Sequence, residues 1–158
     1  MADLLTHYVS SRVAGIGVRD RVSATLFATG VFLPDLIGKP LDVMAPYMAE
    51  IPSHTPLGLF FACAAISMLF ASSIRGRAFW ALYLGSLLHV GLDMMKDYLG
   101  DGGVFLLHPL TLDTFELGLY RSEDVFYFLP ANIGILAVLW VWGRKRAASP
   151  SSEDVTVP

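Results

Sequence analysis

His89 and Asp93 stand four residues apart. On a helix that spacing puts both side chains on one face, with roughly 5–6 Å between their Cβ atoms. It suits two ligands to one metal ion, or an imidazole oriented by a carboxylate. It equally suits a buried polar pair that fastens two helices. His7, Asp35 and His54 are the other residues able to join such a site. Nitrogen and oxygen donors of this kind suit zinc, and also manganese or iron. Each has a plainer reading on its own. Asp35 follows Pro34 and can cap a helix end or mark a turn. His54 lies in Ser53-His54-Thr55-Pro56, where Ser53 can cap and Pro56 can start a helix. His7 and His108 read as interfacial residues, and Asp97, Asp101, Asp113 and Glu116 as a solvated acidic loop. Glu123 and Asp124 open the last apolar segment, where carboxylates suit the helix dipole, and could also reach the site.

The elements that must position these residues are apolar. Of 158 residues, 54% are hydrophobic and only 16% charged, against about 25% charged in a typical soluble domain. Mean hydropathy is +0.57. The expected fold is an all-α integral membrane bundle of four or five helices over 1–146, followed by a disordered Ser- and Pro-rich tail at 147–158. Five segments are candidates: 4–18, which is short and interrupted by Ser10, Ser11 and Arg12; 22–34; 56–74, nineteen residues without a charge; 78–95; and 125–143, kinked at Pro130. Between them lie a polar loop at 36–53, a tight hairpin at Arg75-Gly76-Arg77, and a long acidic loop at 96–124. Within that loop, 104–112 is apolar but too short to span and is placed at the membrane interface. The single cysteine, Cys63, cannot form an internal disulfide. Residues 1–8 do not read as a cleaved signal peptide. A net charge of −3 gives no electrostatic footprint for nucleic acid.

Basic residues set an expected orientation. Arg12, Arg19, Arg21, Arg75, Arg77, Arg144, Lys145 and Arg146 fall at positions that alternating spans place on one side, which is then cytoplasmic, together with the C-terminus. Lys39, Lys96 and Arg121 fall on the other. The same alternation brings Asp35, His54, His89 and Asp93 to one depth near the extracytoplasmic face. His7 reaches that depth if the first segment pairs antiparallel with the second. Ionisable groups at membrane depth are costly and mark functional sites by default.

These residues and their order resemble the membrane-bound metal-dependent hydrolases of the YdjM type, over about 7–124. The matching pieces are Thr6-His7, Leu33-Pro34-Asp35, Ser53-His54-Thr55, the Gly-x-x-x-His-x-x-x-Asp run from Gly85 to Asp93, and the Gly-Gly-Val-x-Leu-Leu-x-Pro run from Gly102 to Pro109. The order of His, Asp, His and His-x-x-x-Asp is also remotely similar to zinc-dependent phospholipase C. Two pieces depart from the pattern. Asp35-Leu36-Ile37-Gly38 stands where the family often has Asp-x-Asp-His, and Glu50-Ile51-Pro52 where it often has His-Arg-Gly. The resemblance implies a divalent metal, zinc first and manganese or iron next, held by His89, Asp93, His54, Asp35 and His7. It implies metal-assisted hydrolysis of a phosphoester, with Asp35 as the catalytic carboxylate. A site at the membrane interface favours a lipid or lipid-linked substrate, in a multi-pass protein of the inner membrane. Two other classes remain: a non-catalytic accessory subunit with membrane-protein partners, and a bundle holding haem between two histidines.

Overall fold

The computed structural model describes residues 4–18, 20–44, 50–99, 103–121 and 124–148. The chain is mostly helical. Helices α1 (Leu4–Ala14), α2 (Arg21–Met44), α4 (Pro56–Ser67), α5 (Ser72–Met94) and α6 (Val125–Ala148) are joined by the one-turn α3 (Glu50–His54) and a two-stranded parallel ribbon, β1 (Lys96–Asp97) with β2 (Tyr120–Arg121). Apart from its first two residues, which end α6, the expected tail lies outside the described residues.

α2 and α5 form the axis of the molecule. They cross at Gly30 and Gly85, where the backbones nearly touch. A Cβ on Gly30 would lie 2.2 Å from the Leu82 carbonyl oxygen, and one on Gly85 2.2 Å from that of Phe27. Small residues at a helix crossing allow this approach, a packing mode common in lipid, where water supplies no drive for association. Leu33, Cys63 and Leu82 form one buried cluster, and Leu59, Val90 and Val104 another. Cys63 faces the core, 3.7 Å from the Ser86 hydroxyl.

The expected boundaries need three corrections. First, 36–44 is not a loop. α2 runs through Pro34 and Pro40 to Met44. Proline cannot donate to the carbonyl four residues back, which for Pro34 is that of Gly30. The Ser86 hydroxyl from α5 reaches that oxygen at 2.9 Å and the Leu82 carbonyl of its own helix at 3.0 Å, so it can serve the acceptor that Pro34 leaves open. Second, 56–74 is not one helix. α4 ends at Ser67 after twelve residues, about 18 Å. Third, the turn falls at 68–71, and Arg75-Gly76-Arg77 lies within α5. The turn holds neither Gly nor Pro and is closed by Arg75, whose guanidinium donates to the Phe70 carbonyl at 3.4 Å.

The 103–121 segment is ordered by its carboxylates and by the end of α5. Leu117 N–H donates to Met94 O (2.7 Å), Leu119 N–H to Met95 O (2.9 Å) and the Tyr120 hydroxyl to Leu92 O (3.2 Å). These bonds satisfy carbonyls that a helix C-terminus leaves open. Glu116 accepts from Tyr98 N–H at 2.9 Å, and Asp97 stands 3.6 Å from Arg121. Val104 is buried and bridges to Phe115, whereas Leu107, Leu110 and Leu112 are exposed. Gly103, at φ +141°, has no room for a Cβ against Thr114.

Candidate metal centre

Four helices each bring a ligand to one point. α1 supplies His7, α2 Asp35, α3 His54, and α5 both His89 and Asp93. His7, His89 and Asp93 place ligand atoms within 4.8 Å of one another, and so do Asp35, His54 and His89. The two sets share His89. All five residues singled out in the sequence therefore lie together, including His7, which α1 carries to the C-terminal end of α5.

Asp93 is the hub. Its Oδ2 stands 3.0 Å from His89 Nε2 and 3.8 Å from His54 Nε2, and its Oδ1 stands 3.6 Å from His7 Nε2. The His7 and His89 ring centroids are 4.2 Å apart, and those of His54 and His89 5.4 Å. His89 is 2% exposed, and neither of its ring nitrogens has a well-angled hydrogen-bond partner. The approach of His89 Nε2 to Asp93 Oδ2 lies within α5, one turn along the helix. A buried ring nitrogen without a partner is costly, and a metal ion would satisfy it. Imidazole and carboxylate donors converging from separate elements fit a divalent cation. The rings touch, leaving no slot for a macrocycle, so the arrangement does not fit haem.

Second contacts set the ligand orientations. The Ser53 hydroxyl lies 2.8 Å from His54 Nδ1, which turns Nε2 toward the centre. Ser53 thus serves the histidine. The helix cap is Thr55, whose Oγ1 accepts from Gly58 N–H at 3.1 Å, with Pro56 in the first turn as expected. Gly38 backs onto this pair: a Cβ there would lie 2.8 Å from Ser53 Oγ and 3.2 Å from His54 Cε1. Burial, reinforced by His89, holds the His54 imidazole below its ordinary value, while Asp93 and Asp35 pull it the other way. A neutral imidazole is the form that ligates metal.

Three contributors were not singled out in the sequence. Lys96 is 5% exposed, and its ammonium is bonded to Asp93 Oδ1. Lys39 stands 3.0 Å from Asp35 Oδ2, one turn along α2. Asn132 of α6 donates to Thr6 Oγ1 at 2.8 Å, beside His7. The i,i+3 and i,i+4 spacings of the lysines to the two aspartates were the available signal. Asp124 accepts from Arg121 N–H at 2.8 Å and so braces β2. Glu123 lies outside the described residues, and His108 belongs to neither ligand set.

One helical stretch among the described residues, Phe126–Lys145, is long and apolar enough to cross a membrane, with mean hydropathy 1.6. The chain matches no protein-family model, no curated protein and no solved structure.

Proposed function

We propose that this chain is a membrane-embedded, metal-dependent hydrolase of phosphoester or lipid-linked substrates. The observation that carries the reading is the convergence of His7, Asp35, His54, His89 and Asp93 from four helices around a fully buried His89 ring. Buried ligands from separate elements are expensive unless they serve a common partner.

The membrane setting is part of the proposal. α2 and α5, at 24 and 23 residues, are about 35 Å long, which matches the hydrocarbon layer in length, although Phe126–Lys145 alone among the described helices is also apolar enough to cross it. Leu36, Phe61, Trp80, Phe126 and Val138 are all more than half exposed, which suits lipid contact. The basic residues favour a multi-pass inner-membrane protein with a cytoplasmic C-terminus and the site near the opposite face.

His89, Asp93 and His7 would hold one ion, and Asp35 and His54 with His89 extend the site toward a second. Zinc is the first choice for these donors, with manganese or iron next. A bound divalent cation supplies Lewis acidity, polarising an ester oxygen and making water more acidic. The protein's own part is positional. Ser53 fixes the His54 ring, and Asp93 stands 3.0 to 3.8 Å from three imidazoles. Asp35, partly exposed at the edge of the cluster, is placed to accept the proton of the attacking water.

One observation favours a second reading, a non-catalytic accessory subunit. Lys96 already neutralises Asp93 in the place where a cation would bind. Hydrolysis of phosphoester lipids by detergent-purified protein separates the two. The hydrolase reading expects activity that chelation abolishes, that added metal restores and that His54→Ala reduces at least tenfold. Metal-independent behaviour with stable co-purifying chains would establish the accessory subunit instead.

A further inference from the structure

We propose that Lys96 and Lys39 are the anion-binding pair of this site and that the group they hold is a substrate phosphate. The inference rests on the metal reading above and deepens it. Both acidic ligands carry a lysine: Lys96 is bonded to Asp93, and Lys39 stands 3.0 Å from Asp35. The two pairs cancel in charge. Among the described residues the ligand sets contain no third carboxylate. One divalent cation therefore leaves two uncompensated positive charges beside a 5% exposed ammonium, and a second ion leaves four. Uncompensated charge at a buried site is costly, so a loaded centre demands an anion.

The lysines are placed to receive it. A cation at Asp93 and a second at Asp35 would each compete with the ammonium for its carboxylate and leave that ammonium beside the centre. Lys96 is held there because β1 is locked to β2, with Gly118 N–H donating to the Lys96 carbonyl at 3.4 Å. A phosphate bridging cation and ammonium satisfies both, as a charge-assisted acceptor with several oxygens. Lys39 is half exposed and shares one face of α2 with Phe32, Asp35, Leu36 and Pro40. The apolar residues of that face suit a hydrocarbon chain attached to the phosphate. The shared chemistry is the phosphate, whether free or on a lipid.

The test uses the full chain in a phosphate-free detergent, loaded with manganese or zinc and freed of excess metal. Metal content and inorganic phosphate affinity are measured on the same samples. The expected result is bound metal throughout, with phosphate affinity falling about tenfold or more in Lys96→Met and about threefold in Lys39→Met, and largely restored in Lys96→Arg. Short-chain phosphatidic acid is titrated alongside. Tighter binding than inorganic phosphate, lost in the same variants, supports the proposal with a lipid source. Equal affinity supports it with free phosphate. Unchanged phosphate affinity in metal-bound Lys96→Met and Lys39→Met overturns it. Should Lys96→Met lose its helical circular dichroism, Lys39→Met decides, because that side chain is half exposed. A wild type that retains no metal is a different failure: it removes the parent reading, and the charge excess with it.

Discussion

Ser86 on α5 places its hydroxyl 2.9 Å from the carbonyl oxygen of Gly30 on α2, the acceptor that Pro34 cannot serve. One hydroxyl thereby keeps α2 helical past its proline and locks it to α5 at the Gly30–Gly85 crossing. Asp35 follows directly after Pro34, and His89 lies one turn after Ser86. The Ser86 contact and the His–Asp cluster are thus neighbours in the fold.

Ser86→Ala should destabilise the protein by about 1–3 kcal/mol, the cost of a buried acceptor left without a donor. Pro34→Ala restores an N–H able to serve Gly30, so the same serine change should cost less in that background. Unfolding in mixed detergent across the four proteins reads the coupling. Strictly additive effects would show that Ser86 does not stand in for the missing N–H.

Gly38→Ala should push a methyl group into the Ser53–His54 pair, 2.8 and 3.2 Å away. Metal affinity should fall about tenfold, as for loss of an outer contact to a ligand, while helical content stays at the wild-type level. Ser53→Ala should lower affinity in the same direction by freeing the His54 ring. Metal titration with a competing chelator measures both, and wild-type affinity in both variants would remove Ser53 from the site.

Asn132→Ala should loosen α6 from α1 by about 0.5–1.5 kcal/mol, the range for a polar contact between helices in lipid. Because Thr6 precedes His7, the same change should raise hydrogen exchange in α1 more than in α5. Equal exchange in both helices would mean that α6 is held by other contacts.

Asp20 caps α2, accepting from Ser23 through both hydroxyl (2.7 Å) and N–H (3.1 Å) and from Val22 N–H (3.2 Å). These bonds, the Ser23 hydroxyl first, hold its carboxyl below the ordinary value of 3.8. A lowered carboxylate contributes stability that is present above its unfolded value and lost as pH falls through the folded one. Asp20→Ala should therefore lower Tm at pH 7, and the difference from wild type should shrink as the pH drops below 3.8. A difference that persists unchanged into strong acid would mean that Asp20 acts by its shape and not its charge.

The five clustered residues were legible because polar side chains in an apolar chain stand out singly. Element boundaries were less legible. Pro34 announces a break that a serine fifty-odd residues away bridges, and only tertiary contact reveals it. The turn at 68–71 carries no Gly or Pro, so the uncharged run from Pro56 looked unbroken. Lys96 looked like a loop lysine, since nothing local shows that 117–121 folds back over the end of α5 and buries it. Gly38 stands where the resembling family often carries a histidine. Its backbone lies against Ser53 and His54, so the departure falls at the site itself.

The most direct test is metal content by elemental mass spectrometry on detergent-purified wild type and on the double variant His89→Ala with Asp93→Ala. Near-stoichiometric zinc, manganese or iron in the wild type, lost in the double variant, is the predicted result. A wild type that takes up no metal after reconstitution, or a double variant that keeps the same amount, would contradict the metal centre and leave the His–Asp cluster as a packing device.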